Sequence, residues 1–324
     1  MGNPAFIITI DTEGDNLWAA PAEITTRNAQ FLPRFQALCE EFDFPPSYLV
    51  NYEMAIDPGF QVLGKDVIAR GCGEIGMHLH AWNSPPLLPI SDDDHRYTPY
   101  LIEYQKDVIR EKVDYLTKLL EDIFAIDIVS HRAGRWAFNE FYASVLREHG
   151  YLVDCSVTPG VDWSANKGLP QGGGGTDYRN FPSTAYFMSE DDISVPGEGC
   201  LLQVPMTIRP KYSPYREVVR THWRKLCGKS SARSMLWVRP RGGNVSEMLA
   251  VANEALAAGS GYVEFMLHSS ELMPGGSPTF RDEAAIENLY RDLRHFFEQI
   301  SKKCTGRTLA QFHQTFVATR AVNA

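Results

Sequence analysis

The stretch FIITIDTEGDNLW, residues 6–18, decides the fold. It begins with a continuous apolar run over residues 6–10, which is typical of a buried parallel strand. Asp11 and Glu13 follow two positions apart, so an extended backbone directs both side chains to the same side. Ligand sites in α/β folds lie beyond the carboxyl ends of parallel strands. We therefore expect one acid to serve in proton transfer and the other to hold a metal.

The composition is that of a soluble globular protein, because 44% of its 324 residues are hydrophobic and 22% are charged. The formal net charge of −9 argues against nucleic acid as the main partner. No apolar run approaches the roughly 18 residues of a membrane span, so no transmembrane segment is expected. The six cysteines have no Cys-x-x-Cys spacing, and no basic export signal precedes the first strand. Together these features predict reduced thiols and a cytoplasmic location.

Strand-like and helix-like patterns alternate along the chain. Strands are predicted at residues 47–51, within 73–82, and at 126–130, 151–157, 201–210, 235–238 and 261–268. Helices are predicted at residues 28–42, 66–70, 101–124, 140–149, 245–257, 282–300 and 308–317. Because no disordered linker or internal repeat interrupts the alternation, we predict one α/β domain over residues 1–324, built as a parallel (β/α) barrel.

Two segments depart from the alternation. Residues 164–200 are rich in loop-forming residues and include four consecutive glycines, so we expect a loop-rich insertion there. Residues 209–241 contain ten Lys and Arg against a single acid, Glu217. A solvated face is the usual explanation of such a segment. The alternative is a surface for the phosphate of a nucleotide-sugar or lipid-linked glycan, or for peripheral contact with an anionic membrane.

Polar residues stand at the predicted ends of five strands, and a barrel brings such ends together on one face. The candidates are Asp11, Glu13, His78, His80, Arg132, Asp154 or Asp162 with Trp163, and His268. Two imidazoles and a carboxylate are a suitable ligand set for Zn²⁺ or another divalent ion, with open positions for water and substrate. A second carboxylate can then accept a proton from water, and a further histidine can protonate a leaving amine. This combination predicts metal-assisted hydrolysis of an amide.

Five motifs in order carry a resemblance to a known family. They are TIDTEGD, EIGMHLH, SHRAGRW, GVDW and FMLHSS, spread over about residues 6–270. Together they resemble the polysaccharide deacetylases of the NodB-homology type, carbohydrate esterase family 4. The resemblance implies a distorted (β/α) barrel with about seven strands and metal-dependent removal of N-acetyl groups from sugars.

The resemblance also implies a role for each motif residue. It makes Asp11 the catalytic base and His268 the catalytic acid, and it places Arg132 against the base. Glu13 and His78 become metal ligands. It puts Trp163 on the pocket wall and Asp162 near the acid histidine. Independently of the resemblance, Trp136 and Trp163 offer flat faces on which a pyranose ring can pack.

The histidine motif departs from the family pattern. The family's two histidines usually stand four positions apart, but position 82 is Trp82. Residues i and i+2 of a strand share a face, so His80 can reach the same metal as His78. Otherwise the site keeps one histidine. HLHAW and LHSSELMPGGSP resemble a subgroup associated with surface polysaccharides.

The leading hypothesis is a Zn²⁺-dependent hydrolase that removes an N-acetyl group from an amino sugar of a surface polysaccharide or its precursor. Metal-bound water is the expected nucleophile, and an amino sugar or oligosaccharide, free or phosphate-linked, is the expected partner. One alternative keeps the metal hydrolase but changes the substrate to a cyclic amide, as in allantoinases. The other is a catalytically silent sugar-binding barrel, for which Trp82 is the main support.

Overall fold

One curled β-sheet positions the site in this computed structural model, which describes residues 3–226 and 234–323. The strands are β1 (Ala5–Thr12), β2 (Pro46–Val50), β3 (Glu74–Leu79), β4 (Ser130–Ala133), β5 (Val153–Asp154), β6 (Tyr186–Phe187), β7 (Leu202–Gln203), β8 (Ile208–Pro210), β9 (Met235–Trp237), β10 (Tyr262–His268) and β11 (Thr305–Gly306). The main sheet has the order β10-β1-β2-β3-β4-β5-β7-β6, and β11 pairs with the start of β1.

The first seven strands of this order are all parallel, and β6 is antiparallel to β7. Strands β8 and β9 form a separate antiparallel pair. Backbone bonds from Val238 N to Thr207 O (3.2 Å) and from Met266 N to Val238 O (3.3 Å) link the segments after β7 and β9 to β10. This curled half-barrel confirms the predicted distorted (β/α) barrel in one domain.

Helices follow the strands along the chain. They are α1 (Leu32–Glu41), α2 (Tyr52–Ala55), α3 (Pro58–Arg70), α4 (Asp94–Tyr97), α5 (Lys106–Phe124), α6 (Glu140–Glu148), α7 (Pro214–Leu226), α8 (Val245–Ala257), α9 (Glu283–Ile300) and α10 (Leu309–Asn323). Among the helices of the described ranges, none combines the length and apolar character needed to cross a bilayer.

Strand β1 is buried on both faces, which explains its continuous apolar run. Phe6, Ile8 and Ile10 pack into the larger hydrophobic cluster with the helices. The alternate positions Ala5 and Ile7 belong to a second cluster with side chains of β2, β5 and β7, inside the curled sheet. Because side chains of a strand alternate, the inner row of β1 continues through Thr9 to Asp11 at its carboxyl end.

Several predicted boundaries were wrong for local reasons. The helix predicted at 66–70 begins at Pro58, where the Asp57 side chain accepts a hydrogen bond from Phe60 N (2.8 Å) and caps it. The strand predicted at 201–210 is split into β7 and β8 around Pro205, which has no N–H for a sheet ladder. The strand predicted at 126–130 lies at Ser130–Ala133, and that predicted at 151–157 is reduced to Val153–Asp154.

The two unusual segments also contain secondary structure that the sequence patterns did not predict. Strand β6 lies within the loop-rich region 164–200, and α7 lies within the basic region 209–241. Part of the basic region, 227–233, and with it Cys227, lies outside the described residues.

Candidate active site

The carboxyl ends of four strands bring the predicted site residues together. In the sheet register Asp11 of β1 lies beside His268 of β10, and His78 of β3 lies beside Arg132 of β4. A cavity of about 580 Å³ opens above these ends, within the range of about 300–1,000 Å³ typical of small-molecule sites. Seven of the nine predicted site residues line it, namely Asp11, Glu13, His78, His80, Trp136, Trp163 and His268.

Glu13, His78 and His80 form a buried cluster of potential metal ligands. Glu13 Oε2 lies 3.5 Å from His78 Nε2 and 3.3 Å from His80 Nε2, and the two Nε2 atoms are 2.9 Å apart. Ligands at about 2.0–2.1 Å from a tetrahedral zinc are roughly 3.3 Å from each other, so the three separations are near those of a shared ion. Glu13 Oε2 is buried with no hydrogen-bond partner in the described part of the chain. A cation would compensate this carboxylate oxygen, whose burial alone is costly.

The two histidines differ in how their rings are held. His78 Nδ1 lies 3.0 Å from the carbonyl oxygen of Arg132, so an Nδ1–H there leaves the Nε2 lone pair directed at the cluster. His80 Nδ1 is buried and has no partner among the described residues. Burial lowers the pKa of His80, which favours the neutral ring that binds metals. Burial also disfavours charge on His78, but the carboxylates of Asp11 and Glu13 outweigh it and raise the pKa of that ring.

Because His78 and His80 are two positions apart along the chain, both of their rings lie beside the Glu13 carboxylate. Trp82, which stands where the family pattern has a histidine, packs its ring edge-on against the ring of His80 at a centroid distance of 5.6 Å. The donor set of one carboxylate and two imidazoles fits Zn²⁺ or a similar divalent ion.

Asp11 is held beneath the cavity by Arg132, a fully buried side chain. Arg132 donates to Asp11 Oδ1 at 2.6 Å and to Glu264 Oε1 at 2.5 Å. It also donates to Thr9 Oγ1 and to the carbonyl oxygen of Cys155. Burial opposes ionisation of Asp11, but Arg132, His78 and His268 together outweigh it and lower the pKa of this carboxyl, with Arg132 contributing most. Asp11 is thus kept ionised, with Oδ2 left toward the cluster, 4.0 Å from His78 Nε2.

His268 faces Asp11 from the neighbouring strand, with Nε2 3.7 Å from Asp11 Oδ2. On its other side, Nδ1 lies 3.3 Å from Glu271 Oε2 and 3.0 Å from a terminal nitrogen of Arg239. Arg239 also donates to Glu271 at 3.1 Å, and Trp18 packs edge-on against the imidazole. Glu271 and Arg239 are therefore the polar partners of the His268 imidazole, and the sequence analysis did not identify either of them. Glu271 stands three positions after His268, the spacing of a capping box, and this was the available signal.

The two predicted aromatic walls and Asp162 occupy different places. Trp136 and Trp163 line the cavity, and Trp163 Nε1 donates to Thr158 Oγ1 at 2.8 Å. The Asp162 carboxylate instead accepts from the hydroxyl of Ser164 at 2.6 Å and pairs with Arg179 at 3.4 Å. This loop contact explains an aspartate at that position by turn chemistry.

Comparison with known proteins gives matches at the level of structure. Neither a family model nor a curated protein sequence matches the chain. A proposed glycoside hydrolase/deacetylase from Parabacteroides distasonis superposes with a TM-score of 0.60 at 12% identity, covering 97% of this chain and 71% of that one. A proposed polysaccharide deacetylase from Mycobacterium smegmatis superposes with a TM-score of 0.54 at 14% identity, covering 99% and 93%.

A GH57 branching enzyme from Thermococcus kodakaraensis also superposes, with a TM-score of 0.52 at 10% identity, covering 96% of this chain and 71% of that one. The fold therefore occurs in proteins named for different reactions, and the site has to decide between them. At these identities the comparison establishes the architecture: the chain shares the distorted (β/α) barrel of the proposed polysaccharide deacetylase and of the carbohydrate-processing enzymes that superpose on it.

Proposed function

We propose that the protein is a metal-dependent hydrolase that removes an N-acetyl group from an amino sugar of a surface polysaccharide or its precursor. The observation that carries this proposal is the buried cluster of Glu13, His78 and His80, with its unpartnered carboxylate oxygen, between Asp11 and His268 on the floor of one cavity. A bound Zn²⁺ would polarise the acetyl carbonyl and lower the pKa of water. The chain's own residues supply the remaining steps.

Asp11 is the proposed base. Its Oδ1 is engaged by Arg132, and its Oδ2 is left to accept a proton from the attacking water. Arg132 acts as a positioning residue, because it orients the carboxylate and keeps it ionised without reaching the cavity itself. As the water oxygen bonds to the acetyl carbon, the released proton passes to Asp11.

His268 is the proposed acid. Its Nε2 faces Asp11 across the cavity floor, and Glu271 Oε2 lies 3.3 Å from Nδ1 and orients the ring. When the carbon–nitrogen bond breaks, His268 delivers a proton to the leaving amine. Acetate and the free amino sugar are the products.

An amino sugar is the proposed substrate because aromatic faces surround this chemistry. Trp136 and Trp163 line the cavity, and flat rings suit the apolar face of a pyranose. Asp162, which precedes Trp163 in the same loop, is included in the proposed substrate-binding site. We include a phosphate-linked form of the sugar because three arginines, among them Arg239 of the basic segment, line the cavity.

Peripheral contact with an anionic membrane is a further part of the proposal. Helix α7 exposes Tyr215 (80%), Val218 (69%), Val219 (54%) and Trp223 (63%), which share one side of a helical wheel. Arg216 is exposed beside them. Exposed apolar residues bordered by cations are typical of helices that lie in a lipid headgroup region.

A cytoplasmic location also remains part of the proposal. The five described cysteines, Cys39, Cys72, Cys155, Cys200 and Cys304, are free thiols. Free thiols are usual in reducing compartments.

Acetate release tests the function. Purified protein loaded with Zn²⁺ is incubated with N-acetylglucosamine oligosaccharides and, separately, with allantoin. We expect acetate and free amine from the sugar, and no ring opening of allantoin. Ring opening without acetate would replace the sugar with a cyclic amide. A protein that binds no metal and releases no acetate would be a silent sugar-binding barrel, and the proposal would be wrong.

A further inference from the structure

A strained turn places a cation in the wall of the cavity. Arg135 follows β4 with a φ of 55°, and Trp136 has a φ of 61°. Left-handed backbone at a residue other than glycine is strained and is concentrated at functional sites. The turn sits close to β3, because a Cβ at Gly134 would lie 2.4 Å from the carbonyl oxygen of Leu79. The chain thus accepts strain to bring Arg135 into the cavity.

The guanidinium of Arg135 is held by neutral groups. Its central carbon lies 4.0 Å from the centre of the Tyr100 ring, and one terminal nitrogen donates to the carbonyl oxygen of Thr98. Both contacts orient the group without neutralising it. Its remaining N–H groups have no other hydrogen bond recorded in residues 3–226 and 234–323.

Arg135 also has no carboxylate within ion-pair distance in the described ranges. Glu103 is the acid whose field reaches it, but that carboxylate accepts from the backbone N–H groups of Tyr100 (2.7 Å) and Leu169 (3.3 Å). Burial lowers the pKa of Arg135, which reflects the cost of placing the charge there. A largely buried arginine without a counter-ion gains stability when an anion arrives.

The other charges of the cavity are arranged differently. Asp11 is matched by Arg132, and Arg239 is paired with Glu271. Arg96 lines the cavity as a second cation, and no ion pair is recorded for it in the described ranges. The cavity wall therefore contains two arginines, Arg135 and Arg96, that have no carboxylate partner among the described residues and lie beside the proposed catalytic floor.

We propose that Arg135, assisted by Arg96, binds an oxyanion carried by the substrate, either a carboxylate or a phosphate. This inference rests on the proposed function for its link to deacetylation, but the binding itself does not depend on turnover. The planar guanidinium suits both oxyanions through paired N–H donors. The enzyme then selects acidic or phosphorylated amino sugars over neutral ones.

The test compares three probes with the same acetamido group. They are N-acetylglucosamine, N-acetylglucosamine 1-phosphate and 2-acetamido-2-deoxyglucuronic acid. Dissociation constants are measured by calorimetry and kcat/KM by acetate release, both on the full chain. A hydrogen bond to a charged group is worth about 1.5–3 kcal/mol, so we expect one anionic probe to be favoured by about 10- to 100-fold. Preference for the phosphate or for the uronic acid identifies the source of the oxyanion.

Variants assign the preference to the residue. Arg135→Gln should remove most of the anionic preference, measured as the ratio of the dissociation constant of N-acetylglucosamine to that of the favoured anionic probe. Arg135→Lys should retain part of the preference, since it keeps the charge. Arg281→Gln is the matched control, because Arg281 also donates to a backbone carbonyl and has no ion pair recorded in the described ranges, but it does not line the cavity. If Arg135→Gln fails to fold, the two single variants Arg96→Gln and Arg135→Lys are measured instead. Each of them should weaken the anionic preference.

Equal binding of all three probes by the unmodified protein would overturn the subsite, as would an equal loss for all three in Arg135→Gln. These outcomes are distinguishable from failure of the proposed function. Anion preference without acetate release would leave the subsite standing and refute deacetylation. Acetate release with no preference would do the reverse.

Discussion

Asp11→Asn separates proton transfer from metal binding, because two carboxylates only two positions apart have different partners. Glu13 Oε2 lies 3.5 and 3.3 Å from the two histidine nitrogens, whereas Asp11 Oδ2 is 4.0 Å from His78 Nε2. We expect Asp11→Asn to lower kcat by about 10²- to 10⁴-fold, the usual contribution of a general base. Its zinc affinity should change by less than about 10-fold. Glu13→Gln should weaken zinc binding by more than the roughly 10- to 100-fold that loss of a supporting partner costs.

The Asp11 variant should remain folded. Breaking a buried ion pair by removing one partner costs about 3–5 kcal/mol when the remaining charge is left without compensation. Arg132 keeps its hydrogen bonds to Glu264 Oε1 at 2.5 Å, to Thr9 Oγ1 at 2.8 Å and to the Cys155 carbonyl oxygen at 3.2 Å. Burial and the charge of Asp11 both raise the pKa of Glu264, so removal of that charge favours an ionised Glu264 that compensates Arg132. The loss of unfolding free energy should therefore be smaller than that range.

The assay combines three measurements on the same preparations. Elemental analysis with a competing chelator gives zinc affinity, acetate release gives kcat, and thermal melting verifies folding. Asp114→Asn is a surface control, since Asp114 pairs with Lys118 on α5. Wild-type turnover in Asp11→Asn would refute its role as the base. Loss of zinc in Asp11→Asn equal to that in Glu13→Gln would show that both acids are ligands.

Three further predictions concern pH, the histidines and α7. Burial raises the pKa of Glu264 to about 8 despite the nearby Arg132, so the folded chain holds a proton there that the unfolded chain releases above about pH 4.5. The unfolding free energy, followed by the melting temperature, should thus fall as the pH rises from about 5 to 8. Glu264→Gln should make this decline shallower, and parallel profiles for the variant and the unmodified protein would contradict the prediction. His78→Ala should weaken zinc binding more than His80→Ala in a chelator competition, because only His78 has a partner on its second ring nitrogen; the opposite order would exclude this reasoning. Val218→Glu should reduce sedimentation with anionic vesicles, whereas Val62→Glu, at a similarly exposed valine of α3 (72% against 69%), should not. Unchanged sedimentation of Val218→Glu would argue against membrane contact.

The fold and the floor of the site could be predicted because they depend on short-range patterns. Residues that follow an apolar strand must lie at its carboxyl end, and parallel strands place those ends on one edge. Asp11, His78 and His268 could therefore be grouped without knowing any contact. The split of the strand at Pro205 and the early start of α3 at Pro58 depended on local chemistry that periodicity does not register.

The supporting residues could not be predicted because their roles depend on distant partners. Glu264 lies inside an apolar strand, and its role becomes clear only from the buried hydrogen bond that it accepts from Arg132. Arg239 lies in a basic segment that looks like a solvated face, yet it reaches Glu271 behind the proposed acid. Neither pairing has a sequence signal, since the partners are far apart along the chain.

The sequence by itself determined the alternation of most strands and helices, the strand-end acids and histidines, and the class of chemistry that those side chains can perform. Periodicity and residue chemistry are local properties, so they can be read along the chain. The tertiary structure decided which side chains share a metal-sized space, which acid is held by Arg132, and which arginine is left without a counter-ion. Those facts depend on distances and burial across the sheet, which exist only once the chain has closed around its core.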